Sequence, residues 1–85
     1  MSAETIQINI LYFANLADDA GINDETLTID KATSLSALYE LLRQKHNLSL
    51  PQSLLRVAIN DYFASWDDPI HDGDSIVFIS PVAGG

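Results

Sequence analysis

Three groups of residues in this 85-residue chain have the types and spacing to do chemistry. They are the end run Ser80-Pro81-Val82-Ala83-Gly84-Gly85, the histidines His46 and His71, and the aspartates Asp67, Asp68, Asp72 and Asp74 of the stretch SWDDPIHDGD. The end run offers a carboxylate on Gly85 that could itself be the working group. A free carboxylate is a poor electrophile, so such a role requires activation first. Glycine has no Cβ and accepts φ/ψ values closed to other residues, so Gly84 and Gly85 could thread a narrow channel into another protein's active site. The alternative is an inert end, because termini tolerate almost any residue.

The other groups carry less. Neither histidine has a second histidine at ligand spacing, and zinc takes three or four converging ligands, so no metal site is expected. The aspartates lack the D-x-[DN]-x-[DN]-G spacing of a calcium loop, and turn chemistry accounts for them together with Pro69 and Gly73. Nothing places Ser80 or another serine beside a histidine, so no nucleophilic triad can be argued. Trp66 could anchor an interface or fold over the edge of the core. The chain is therefore not expected to be an enzyme by itself.

Composition narrows the classes further. With no cysteine, the chain cannot build disulfides, thiolate metal sites or thiol nucleophiles, so any sulfur chemistry must use sulfur brought from elsewhere. A net charge of −8 repels phosphate backbones and anionic lipid, which argues against nucleic acid and membrane partners. It serves solubility or steers the chain toward a basic protein partner, and charge alone does not separate these. The polar start MSAETIQ has no signal-peptide core, and no apolar run reaches the ~20 residues of a membrane span, so a soluble cytoplasmic protein is expected.

The elements that would position these residues are legible in the hydropathy pattern. In TIQINILYF, Ile6, Ile8, Ile10 and Tyr12 alternate with Gln7, Asn9, Leu11 and Phe13, the period of a strand. ANLADDAG suits a short helix stopped at Gly21, and ETLTID a second strand carrying Leu27 and Ile29. Thr33 is placed to cap a helix over 34–46 whose stripe is Leu35, Leu38 and Leu42, flanked by Tyr39 and ended by Asn47. After the loop LSLPQS, LLRVAIN resumes as a strand with Leu55, Val57 and Ile59 on one face, and Asp61, Tyr62 and Phe63 are read as its continuation. SWDDPIHDGD is loop. SIVFIS is apolar on both faces, as a central strand is. One long helix covers one face of a small α+β sheet, which leaves Leu11, Phe13, Ala58, Val77 and Ile79 on a second apolar face for a partner.

Three stretches, YFANLADDAG (12–21), VAINDYFASWDDPIHDGDSIVFI (57–79) and PVAGG (81–85), together resemble the small-subunit family of molybdopterin synthase. The DGD turn, the apolar strand after it and the Pro-Val-x-Gly-Gly end are the specific part, while 22–54 matches only in its strand–helix pattern. Two positions depart: Ala17 stands where the family often has Arg, and Ser80 where it has a second Pro. The resemblance implies a ubiquitin-like β-grasp fold, with a mixed sheet, a single domain over 1–85 and a flexible tail over 80–85. It also implies a sulfur carrier for molybdenum cofactor biosynthesis: Gly85 is adenylated, converted to a thiocarboxylate, and gives its sulfur to a pterin precursor. Pro81, Val82, Ala83 and Gly84 would thread the tail into the large synthase subunit, with Phe13, Phe63 and Ile79 binding that subunit. The implied partners are the large subunit, in a heterotetramer, and an adenylating or sulfur-transferring enzyme that uses ATP, with no cofactor held permanently. A carrier for thiazole synthesis or tRNA thiolation, or a ubiquitin-like modifier, would share the Gly-Gly chemistry. A pure interaction module with an idle tail is the rival from a different class.

Overall fold

In the computed structural model, which describes residues 4–80, the first strand β1 (Thr5–Tyr12) turns Ile6, Ile8, Ile10 and Tyr12 into the core. This is the alternation expected from its sequence. The helix α1 (Ala14–Ala20) ends at Gly21, whose φ of 76° is the left-handed geometry that glycine adopts without a Cβ clash. The strand β2 (Asp24–Asp30) then runs back antiparallel to β1.

The main helix α2 (Leu35–His46) buries Leu35, Leu38, Tyr39 and Leu42, so the leucine stripe and Tyr39 face the sheet as their spacing requires. Asn47 ends it in left-handed backbone at φ 56°. Its cap corrects the expectation of Thr33. Ser34 is the N-cap, with its Oγ accepting from the Ala37 amide at 3.0 Å, whereas the Thr33 amide is taken up by the Asp30 carbonyl in the preceding turn. Thr33 is thus a turn residue, and the first free helical amides lie within reach of the serine one place on.

Beyond α2, the Tyr39 hydroxyl donates to the Leu50 carbonyl at 2.5 Å, and a 3₁₀ turn over Gln52–Leu54 leads into β3 (Arg56–Ile59). The chain does not continue straight through Tyr62 and Phe63. Asn60 and Asp61, at φ 52° and 74°, reverse it into a two-residue hairpin, and β4 (Tyr62–Ala64) pairs back on β3. Both residues tolerate left-handed backbone, the geometry that matches a hairpin turn to strand twist.

The last strand β5 (Ser75–Ile79) is central, in the order β2-β1-β5-β3-β4, parallel to β1 and antiparallel to β3. That makes the sheet mixed. Ile76 and Phe78 are fully buried on the α2 side, while Val77 and Ile79 face the opposite side. Trp66 stacks on Phe78, with ring centroids 5.8 Å apart and planes at 14°, so it folds over the core edge. Among the described residues, no helix is long and apolar enough to cross a membrane.

Candidate functional site

The sheet face away from α2 is built by strand register. Phe63 on β4 stands opposite Ala58 on β3, Ala58 opposite Val77 on β5, and Val77 opposite Leu11 on β1. A row of apolar side chains therefore crosses four strands. Asp24 continues it on β2, opposite Leu11. In the next register Ile79 stands opposite Arg56. On this outer face Phe63 is 71% exposed, and Phe13, which follows β1 at the start of α1, is 56% exposed.

Each sequence-predicted partner residue can now be placed. Phe63 and Ile79 lie on the outer face, in adjacent registers, and Phe13 directly follows β1 as the N-terminal residue flanking α1. The short helix does not cover them. Leu16 fixes α1 in the core, and Asp19 ties it to the loop that follows α2 by accepting from the Ser49 amide at 2.9 Å and hydroxyl at 2.8 Å. These bonds hold the Asp19 carboxyl below its usual range. Ala17 packs against the core, half-buried, where a longer side chain is common in the resembling family. Pro81, Val82, Ala83, Gly84 and Gly85, the tail and its carboxylate, lie outside the described residues.

The DGD turn sets where β5 begins. Gly73 has φ 87° and donates its amide to the Gln7 carbonyl at 2.7 Å, while the Asp72 carboxylate accepts from the Gln7 amide at 2.7 Å. Asp74 accepts from the His71 amide at 2.8 Å and from the Asn60 side chain at 2.9 Å. Asp72 and Asp74 thus bind backbone and side-chain amides, the turn role expected of them. They join β1, the hairpin and β5 and fix the register that assembles the outer face.

Opposite that face, Glu25 on β2 forms a hub that sequence reading missed. Its carboxylate accepts from the Tyr12 hydroxyl at 2.5 Å and Lys45 Nζ at 2.9 Å, and pairs with His46 Nε2 at 2.6 Å. The His46 ring also stands edge-on to Tyr12, 5.6 Å between centroids. Burial would raise the Glu25 carboxyl, but the hydrogen bonds from Tyr12, Lys45 and His46, with the charge of Lys45, outweigh it and bring it down to about 2. Burial first, then the hydrogen bond to Glu25 and its negative charge, push the Tyr12 phenol well above its ordinary value. The hub fastens the C-terminal end of α2 to β1 and β2. Arg56 was also passed over, although its alternation with Leu55 and Val57 already assigned it to the outer face.

Comparison with known proteins agrees with this geometry. Residues 10–85 match the ThiS family. The chain is 36% identical over 81 residues to the molybdopterin synthase sulfur carrier subunit of Haemophilus influenzae, covering 92% of this chain and 99% of that one. It is 25% identical to a chain in the complex of subunits 1 and 2 of the molybdopterin-converting factor from Helicobacter pylori, at a TM-score of 0.65 covering 94% and 100% of the two chains. The ubiquitin of Caldiarchaeum subterraneum, 17% identical with a TM-score of 0.66 over 96% of this chain and all (100%) of that one, shares the fold. The architecture is the ubiquitin-like β-grasp that the resemblance implied.

Proposed function

The chain belongs to the ThiS family, and from that premise we propose that it is the sulfur-donating subunit of a two-component molybdopterin synthase, acting in the cytoplasm through Gly85. The observation that carries this reading is the similarity to a sulfur carrier subunit over 92% of the chain. The apolar outer sheet face supports it, because exposed Phe63 and half-buried Leu11, Val77 and Ile79, flanking buried Ala58, form a surface suited to a protein partner. That partner is the large synthase subunit, which supplies the catalytic groups, and two copies of each subunit make a heterotetramer.

In this reading, a Gly85 carboxylate oxygen attacks the α-phosphorus of ATP on an adenylating enzyme, and the bond to pyrophosphate breaks. A sulfur nucleophile at the oxidation level of sulfide then attacks the acyl carbon and AMP leaves, which makes the thiocarboxylate. The carrier holds no nucleotide of its own. The thiocarboxylate sulfur next passes to the pterin precursor on the large subunit, and water restores the carboxylate. The chain's contribution is reach and placement: the outer face docks, and Pro81, Val82, Ala83 and Gly84 carry Gly85 to the reaction. Without Cβ atoms, Gly84 and Gly85 fit where a side chain would have to be accommodated.

The test is intact-mass spectrometry after incubation with the adenylating enzyme, ATP and a sulfur donor. The mass is expected to rise by the difference between one sulfur and one oxygen. Deleting Gly85 should abolish the gain while circular dichroism stays native, because the described core ends before residue 81. A full mass gain in the truncated chain would refute Gly85 as the acceptor.

A further inference from the structure

We propose that Arg56 determines the specificity of the outer sheet face by taking a carboxylate of the large subunit that docks there; this rests on the docking reading above. The outward positions of β1, β5, β3 and β4 carry polar or apolar residues and a single charge, Arg56. It stands directly opposite Ile79, beside the row Phe63, Ala58, Val77 and Leu11. Among the described residues, the other three Lys and Arg side chains are matched by carboxylates: Lys31 with Glu4, Arg43 with Glu40, Lys45 with Glu25. Among the described residues, Arg56 is in no such ion pair. Its guanidinium carbon lies instead 5.9 Å from the centroid of the Phe63 ring.

That contact has a consequence for binding. A guanidinium held against an aromatic ring is already restricted in conformation, and its planar fork of donors matches a carboxylate in two parallel hydrogen bonds. Docking an apolar surface over Ile79 and Phe63 strips water from Arg56, and a desolvated cation without an anionic partner is strongly unfavourable. A partner that offers a carboxylate at that point is accepted; one that offers only apolar surface, or a cation, is rejected. The chain's net charge of −8 favours basic surfaces at long range, so a carboxylate requirement at Arg56 selects among them at contact. Position adds a functional link. Ile79 is the last residue of β5, and residues 81–85 follow it after Ser80. A carboxylate clamped on Arg56 therefore fixes the partner next to the point from which the tail sets out.

The experiment measures affinity for the large subunit of the same organism by calorimetry, for Arg56→Met, Arg56→Glu, Ile79→Asp and Arg43→Glu, each first confirmed as folded by circular dichroism. Arg56→Met keeps the apolar stem and should bind about 10-fold more weakly with a flatter salt dependence; Arg56→Glu should weaken binding on the order of 100-fold. Arg43→Glu makes the same change of net charge on α2, away from the outer face, and should bind nearly as the parent does. Ile79→Asp should also weaken binding strongly, which tests the docking face itself. If Ile79→Asp weakens binding while Arg56→Met and Arg56→Glu bind as tightly as the parent, the role of Arg56 is overturned and the docking reading stands. If Ile79→Asp and both Arg56 variants all bind as the parent does, the docking face is wrong and this inference falls with it. Equal losses for Arg56→Glu and Arg43→Glu would reduce the effect to net charge and overturn a specific contact.

Discussion

Replacing Glu25 by Gln removes the charge at the centre of the hub while keeping a side chain of the same length. The Glu25 carboxyl is held at about 2 rather than its ordinary 4.5. At about 1.4 kcal/mol per tenfold in proton affinity, the ionised form contributes roughly 3 kcal/mol to folding. Part of this is lost to solvent screening, since the Glu25 side chain is 13% exposed but its partner Lys45 is 46% exposed. For a domain of this size it is a large fraction of the total stability. The sign follows from the direction of the shift. A carboxyl whose folded value lies below its unfolded one stabilises the fold fully above about pH 4.5, and the contribution disappears as pH falls through about 2. The measurement is urea unfolding of parent and Glu25→Gln by circular dichroism, at steps of pH from 7 to 2. The parent should be more stable by about 2–3 kcal/mol at neutral pH, and the gap should close across the acid range. Two stability profiles running parallel from pH 6 to 2 would refute the hub as an electrostatic fastening of α2 to the sheet.

Two further substitutions test the core and the cap. Leu38 is completely buried on the sheet-facing side of α2, so Leu38→Ala should cost about 2–5 kcal/mol, read as a lowered denaturation midpoint; an unchanged midpoint would contradict its core placement. Ser34→Ala should cost about 1 kcal/mol by leaving the Ala37 amide without its partner, whereas Thr33→Ala should cost less, and the reverse order in thermal unfolding would return the cap to Thr33.

Much of the frame was legible from residue types and local period. The alternation of Ile6, Ile8, Ile10 and Tyr12, the stripe Leu35, Leu38 and Leu42, and the stops at Gly21 and Asn47 all reflect short-range sterics and one-sided burial, which act within a few residues of chain. The two-sided apolar character of Val77 and Ile79 against Ile76 and Phe78 likewise announced a central strand. Other features were decided only by tertiary structure. The Asn60–Asp61 reversal puts Phe63 opposite Ala58, and this needed the strand pairing as well as the turn residues. Glu25 meets Tyr12 across 13 positions and His46 across 21, and nothing in their local spacing reports that closure. The same holds for Arg56, whose face was readable from alternation but whose place opposite Ile79 was not. Hydropathy period records which way a side chain points relative to its own strand or helix, whereas partners and register follow from how segments distant in sequence pair, and that is settled by the packed sheet as a whole.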